Sequence, residues 1–271
     1  MVSRITPCVL LFGDYPALAR RCLDSIFDRA PNMARHLRVG ANAIGHATAA
    51  YLDELVARGR LRRTNIYESS VNLHKYPMMR RIFTDPDNQI TTEFVCWFDD
   101  DSYVKAANFD WEAAVVAAMQ DADMVGAIYV LSGGFQGQQH LWVMDQPWYN
   151  GREVAPGYKP RFATGGWWCI RTEILRRHDW PSPELDHRGG DVMLGELCRQ
   201  QGYRLRAFSR GVAINADEQG RESKAKRRGF DQQPIGVGYV PSVTTAVHRA
   251  MLRAPALPSG PATKTILELD L

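Results

Sequence analysis

The densest chemistry in the chain lies in Phe94-Val95-Cys96-Trp97-Phe98-Asp99-Asp100-Asp101-Ser102-Tyr103-Val104, where five apolar residues run into three acids. Carboxylates placed after an apolar run are costly unless they reach solvent or a cation. Adjacent carboxylates repel one another, and a bound divalent cation relieves that repulsion. A hard cation such as Mn²⁺ or Mg²⁺ takes oxygen ligands, so one or two carboxylates plus diphosphate oxygens complete its shell. The metal then neutralises charge on a departing nucleotide diphosphate. In an extended backbone alternate side chains share a face, which predicts that Asp99 and Asp101 point together while Asp100 points away. The competing reading is a solvated acidic turn, since a lone Asp-x-Asp is common by chance.

The elements that must position these acids alternate between strand and helix over the first half. Apolar runs predict strands at Cys8–Phe12, Leu37–Val39, Thr64–Glu68, Phe94–Phe98 and Met124–Leu131. Apolar residues at helical spacing predict helices at Ala17–Asp28, Ala47–Ala57 and Trp111–Gln120, with a basic helical segment at His74–Phe83. This order implies an α/β fold, a mainly parallel doubly wound sheet with helices on both faces. In such sheets ligands bind beyond the carboxyl ends of the strands, which is where Asp99–Asp101 falls. The second half is rich in Gly, Trp and Tyr and reads as irregular, with a helix at Asp191–Gln201 and a strand at Tyr203–Phe208. Residues 1–131 are expected to form a nucleotide-binding half, residues 132–250 a sugar and acceptor half, and residues 251–271 a Pro-rich tail. Asp217–Gln233 is polar and basic, the composition of a mobile loop, and it offers Lys and Arg to a bound nucleotide or to an anionic acceptor.

Bulk properties narrow the classes. The 271 residues suffice for one large α/β domain, and 45% hydrophobic content excludes a wholly disordered chain. A net charge of +3 suits an anionic ligand but falls well short of a nucleic-acid-binding imbalance. The cysteines Cys8, Cys22, Cys96, Cys169 and Cys198 are scattered and odd in number, without zinc-like spacing. They read as buried thiols in a reducing compartment, which predicts the cytoplasm. No segment has transmembrane length.

Three blocks in this order resemble the GT-A fold glycosyltransferases, and more narrowly the Fringe and β-1,3-glycosyltransferase group. Trp97-Phe98-Asp99-Asp100-Asp101-Ser102-Tyr103-Val104 is similar to that group's strand followed by Asp-Asp-Asp-x-Tyr-Val. Ala163-Thr164-Gly165-Gly166-Trp167-Trp168-Cys169-Ile170-Arg171 is similar to its Gly-Gly-Ala-Gly block, and Gly190-Asp191-Val192-Met193-Leu194-Gly195 to its Asp-Asp-Val-x-Leu-Gly block. The chain departs at Trp167-Trp168, where the group has small or aliphatic residues, and at Gly190, where it has a second acid. The group's substrate is therefore not carried over. Its members also carry a membrane anchor and disulfides, which this chain does not show.

The resemblance implies a UDP-sugar donor, Mn²⁺ and an inverting transfer. It makes Asp101 the metal ligand and gives Asp99 to the nucleotide ribose or a metal-bound water. It makes Asp191 the general base that takes the proton of the acceptor hydroxyl. An Asp opening a helix is equally a favoured N-cap, and the two roles compete for one carboxylate. Gly165-Gly166 would let backbone approach the donor sugar, or simply form a turn. Trp167 and Trp168 would stack on a sugar or base, although alternation along a strand puts at least one in the core. His248 is a weak candidate for the metal shell, with His187 its rival near Asp191. Asn42, Lys75 and Arg80, together with Asp100, are candidate contacts to the base or diphosphate.

Other classes remain open. A metal-dependent nucleotidyltransferase would share the carboxylate pair, but Phe12-Gly13-Asp14-Tyr15-Pro16 is not a Gly-rich, Lys-bearing phosphate loop. A non-catalytic carbohydrate-binding module would suit the aromatic second half, but not the acids. A retaining transfer would need no base at Asp191. The acceptor is open among glycan, protein, small metabolite and modified DNA base.

Overall fold

The computed structural model describes residues 3–135, 139–187, 189–214 and 216. In chain order the elements are β1 (Ile5–Gly13), α1 (Pro16–Arg29), α2 (Pro31–Ala34), β2 (Arg38–Ile44), α3 (His46–Ala57), β3 (Ile66–Ser69), α4 (Lys75–Phe83), β4 (Phe94–Asp99), β5 (Tyr103–Val104), α5 (Trp111–Ala118), β6 (Met124–Val130), α6 (Gln139–Met144), β7 (Arg161–Arg171), α7 (Thr172–Arg177), α8 (Gly190–Gln201), β8 (Leu205–Ala207) and β9 (Val212–Ala213).

Seven strands form one sheet in the order β3-β2-β1-β4-β7-β6-β8, and β5 pairs with β9 in a small second ribbon. The large sheet is parallel from β3 through β4. Its one reversed strand is β7, antiparallel to both β4 and β6, while β8 runs parallel to β6. The expected parallel, doubly wound α/β sheet is thus the observed framework. The expected irregularity of the second half is corrected at β7, an 11-residue strand inside the sheet between β4 and β6.

Alternation along β4 divides the core. Val95 and Trp97 face one hydrophobic layer with α4 and α8, whereas Phe94, Cys96 and Phe98 face the other with α1, α3 and α5. Burial of apolar side chains on both sheet faces is the main stabilising term, at about 25 cal/mol per Å². Helix α8 lies close on β7 because Gly195 has no side chain; a Cβ there would come 2.3 Å from the Arg161 carbonyl oxygen. All five cysteines are free and buried. Among the described residues no helix is long and apolar enough to cross a membrane.

Candidate active site

Strand β4 ends at Asp99, and the chain then turns, with Ser102 N donating to Asp99 O at 2.9 Å. The turn breaks the alternation expected over the triplet: Asp100 is buried and Asp101 half-buried, and only Asp99 keeps a strand-like direction. That direction is the face of Trp97, whose Nε1 donates to Asp99 Oδ1 at 2.9 Å. The negative charges of Asp99, Asp100 and Asp101 all add to the upward push that burial gives the Cys22 thiol, so the triplet sits over α1. Ala216 N donates to the Asp101 carbonyl at 2.8 Å, and Arg21 reaches the Ala216 carbonyl while lying 4.6 Å over the Tyr103 ring.

Lys75, the first residue of α4, joins the three motif blocks. Its Nζ donates to Asp99 Oδ2 and to the Gly165 carbonyl, each at 2.7 Å. Gly165 N in turn donates to Asp191 Oδ2 at 3.1 Å. The register that pairs Phe98 with Trp167 brings Gly165-Gly166 alongside the end of β4, so strand pairing sets this geometry. A Cβ on Gly165 would lie 2.9 Å from Lys75 Nζ and 3.4 Å from Asp191 Oδ2. The glycine is therefore needed for the close approach of base candidate, lysine and strand. Asp99 has both oxygens occupied by side chains of the chain itself. Those partners are Lys75 and Trp97.

The N-cap of α8 is Gly189, with φ 80°, and not Asp191. Asp191 stands inside the first turn, where a negative charge is favoured by the helix dipole. Its Oδ1 accepts from Val192 N at 3.0 Å while Oδ2 turns across to β7. Burial pushes the Asp191 carboxyl above the usual carboxylate value of 3.8, and the negative charge of Asp99 adds to this. The Lys75 charge and the local backbone N–H groups oppose it without cancelling it. A raised carboxylate is a better proton acceptor near neutrality than an ordinary aspartate.

Tyr76 fills the space beside this carboxylate. A Cβ on Gly190 would lie 2.3 Å from the Tyr76 ring, so the missing second acid of the third block has a steric reason. Burial, followed by the charges of Asp191 and Asp99, keeps the Tyr76 phenol protonated. His74 precedes Lys75 with φ 66°, a conformation that costs a non-glycine residue about 1–3 kcal/mol and clusters at functional sites.

Other expected contacts lie elsewhere. Asn42 is buried in β2, where it accepts from Leu73 N at 2.8 Å and donates to Asn72 Oδ1 at 2.9 Å. Its amide holds the loop that delivers Lys75. Arg80 pairs with Asp179 at 2.8 Å and donates to the Pro181 carbonyl at 2.7 Å, away from the Lys75 network. Trp167 is fully buried against Phe98, Trp111 and Phe208, and Trp168 stacks on Trp97 at 6.1 Å. Both tryptophans are core, so stacking of Trp167 on a sugar is corrected. His187 packs 5.4 Å from His74, beside Asp186. His248, the Asp217–Gln233 loop and the Pro-rich tail lie outside the described residues. Among the described residues no three His, Cys, Asp or Glu side chains gather around one metal position. Trp97 and Tyr76 were missed by sequence reasoning. Two-residue spacing from Asp99 is the signal that would have found Trp97; no comparable signal marks Tyr76.

No protein-family model and no curated protein sequence matches the chain. Solved structures match its fold. The mannosyltransferase PcManGT from Pyrobaculum calidifontis, in complex with GDP-Man and Mn²⁺, superposes with a TM-score of 0.54 at 15% identity, over 95% of this chain and 67% of that one. GalNAc-T7 with UDP, GalNAc and Mn²⁺ superposes with a TM-score of 0.53 at 13% identity, over 75% of this chain and 41% of that one. The chain therefore spans less than half the length of the second. These neighbours define a fold, that of the GT-A glycosyltransferases. The narrower likeness to the Fringe group rests on the three sequence blocks alone.

Proposed function

We propose that the protein is a metal-dependent glycosyltransferase that moves a sugar from a nucleotide-sugar, with UDP as the nucleotide, to an acceptor hydroxyl with inversion. The observation that carries this reading is the chain of contacts Asp99–Lys75–Gly165–Asp191 at the carboxyl edge of the sheet. It gathers all three motif blocks at the place where doubly wound sheets bind ligands.

Asp101 fits a hard cation: it is half-buried, stands next to buried Asp100, and Lys75 already neutralises Asp99. With no third protein ligand among the described residues, oxygens of the donor diphosphate would complete the shell. Bound there, Mn²⁺ would supply charge neutralisation for the leaving nucleotide diphosphate. Asp191 accepts the acceptor hydroxyl proton, a role for which its raised pKa suits it. Lys75 holds Asp99 and the Gly165 carbonyl in place, which fixes the strand end against Asp191. The two structural neighbours are complexes with GDP-Man and with UDP, each beside Mn²⁺, which widens the donor panel to both bases.

The test is a thermal-shift series with nucleotide diphosphates and nucleotide-sugars, with and without Mn²⁺, on wild type and Asp101→Ala. Stabilisation by one nucleotide that needs Mn²⁺ and is lost in the variant is the expected result. If no nucleotide gives a metal-dependent shift, the triplet reverts to a solvated turn.

A further inference from the structure

A concavity of about 450 Å³ opens between the end of α2 and the loop that joins α3 to β3. Gly59, with φ 67°, turns the chain out of α3, and Arg60 N and Leu61 N then donate to the Leu55 carbonyl at 2.9 and 3.3 Å. Asn65 Nδ2 fastens the far end of the loop to the Leu37 carbonyl at 2.9 Å. Along this loop Leu61 is buried while Arg60 and Arg62 are exposed. The lining therefore joins buried Phe27, Leu37 and Leu61 to exposed Arg35, Arg60 and Arg62. It lies on the face of the sheet that carries α1 and α3, whereas Lys75 and Asp191 belong to α4 and α8 on the other face. Gly40 and Asp99 both stand level with Leu10, so Leu37 is about 10 Å towards the amino ends of the strands from that level. The concavity is separate from the network around Lys75 and takes no part in the proposed transfer.

The charge of the lining selects the ligand. No carboxylate lines the concavity. Arg60 is paired outside it with Asp28 at 3.1 Å and Asp24 at 3.8 Å, and lies 4.3 Å over the Phe27 ring. Its sequence neighbours Arg58 and Arg63 are paired with Glu54 and with Asp53 and Glu68. Arg35 and Arg62 differ, for neither makes an ion pair or a side-chain hydrogen bond with a described residue. Two guanidinium groups thus border one space without a counter-charge. Like charges so placed repel one another, and an anion of matching charge relieves the repulsion. A phosphate monoester carries a charge of about −1.5 to −2 near neutral pH and three acceptor oxygens, which guanidinium forks meet in pairs. A carboxylate, with one charge, would leave one guanidinium uncompensated. A cation is repelled, and a neutral ligand leaves both charges unmatched.

We propose that this concavity is a second ligand site that binds a phosphate monoester between Arg35, at the end of α2, and Arg62, on the loop from α3 to β3. The phosphate oxygens accept from the two guanidinium groups, Arg60 adds a third at the edge, and the apolar side chains of Leu37 and Leu61 take the carbon-bearing side of the ester. The shared chemistry is the phosphate group, carried by a soluble ester or by a lipid headgroup.

Phosphorus NMR titrations of the full chain at low salt, with inorganic phosphate and phenyl phosphate as probes, test the assignment. A chelator in the buffer removes any divalent cation, so the outcome is independent of the metal proposed at Asp101. Wild type is expected to bind phenyl phosphate at roughly millimolar concentration, and Arg35→Gln and Arg62→Gln each to weaken that binding about tenfold. Arg58→Gln removes an equal charge from the same loop, outside the lining, and is expected to change binding less than about twofold. All three positions are exposed, and circular dichroism checks that the variants fold. Flotation with phosphatidylcholine vesicles that contain phosphatidic acid, lost in Arg62→Gln, assigns the phosphate to a lipid headgroup; binding of phenyl phosphate without flotation assigns it to a soluble ester. Absence of binding of either probe to wild type, binding indifferent to both Arg35→Gln and Arg62→Gln, or an equal loss in Arg58→Gln would each overturn the proposal.

Discussion

At the amino edge of the central sheet, arginines outnumber their carboxylate partners. Arg4 and Arg171 share Glu93 at 2.5 and 3.2 Å, and Arg171 and Arg204 share Asp123 at 3.1 and 3.5 Å. At the carboxyl edge acids predominate: Asp99, Asp100 and Asp101 follow one another at the end of β4, Lys75 pairs with Asp99 at 2.7 Å, and its charge also acts on Asp191. The first edge is electrostatically closed and partly open to solvent. The second is half-buried, with the Lys75 and Asp99 side chains 12% and 26% exposed, and crowded carboxylates are stabilised by a cation or a cation-bearing ligand. The difference separates charge that fastens strands together from charge gathered at the candidate site.

Four substitutions sharpen this contrast, beginning with the largest effect. Asp191→Asn is expected to lower kcat about 10²- to 10⁴-fold, the usual contribution of a general base, in a transfer assay with the nucleotide-sugar found by thermal shift. Its stability signature runs opposite to that of a structural carboxylate. Because the folded-state pKa is raised, the favourable contribution is complete below 3.8 and is lost as pH rises through the folded value. Wild type should therefore lose stability relative to Asp191→Asn as pH rises above 3.8, read by thermal melts across pH. A gap that stays flat with pH would remove the titrating carboxylate from the account.

Lys75→Met strands Asp99 beside Trp97, with side chains only 12% and 26% exposed in the original pair. Breaking such a pair from one side costs about 3 kcal/mol, measurable by urea unfolding; a loss below about 1 kcal/mol would mean that the network is already hydrated.

Asp123→Asn tests the other edge. Burial raises the Asp123 carboxyl, but the Arg204 backbone N–H and the Arg171 and Arg204 guanidinium groups outweigh it and hold the pKa below 3.8. A lowered folded pKa stabilises above 3.8, and that contribution is lost as pH falls through the folded value. Wild type should be the more stable protein at neutral pH, with the gap to Asp123→Asn closing in acid. Glu93→Gln removes a carboxylate whose pair with Arg4 is 50% and 39% exposed, and should cost less than about 1 kcal/mol and leave catalysis unchanged. An equal loss of activity in Glu93→Gln and Lys75→Met would erase the distinction between the edges.

The two edges also differed in how well they could be read from residues alone. Strand β4 and its acids were legible because an apolar run ending in charge has few structural meanings. Strand β7 was not, because Gly165 and Gly166 interrupt its apolar pattern for the sake of Lys75 and Asp191. Strand β2 was cut short at Val39 for a related reason. Gly40 reads as a turn, yet its missing side chain makes room for Met78, whose Cγ would lie 2.7 Å from a Cβ. Asn42 reads as a contact to the base or diphosphate, and its side chain is buried and bonded to the 72–74 loop. For Asp191, cap and base were indistinguishable in sequence. The three-dimensional placement removes the first, since Gly189 holds the cap position. Local rules fail where long-range contacts dictate residue type.

The contact of Gly190 with the Tyr76 ring carries a consequence for descent and design. Two positions 114 residues apart occupy one volume, so neither can change size independently. A relative that bears an acid at the position of Gly190 is expected to carry a smaller residue, or a differently placed ring, at the position of Tyr76. An acid at the position of Gly190 therefore calls for a compensating change at Tyr76, either a smaller side chain or a displaced ring.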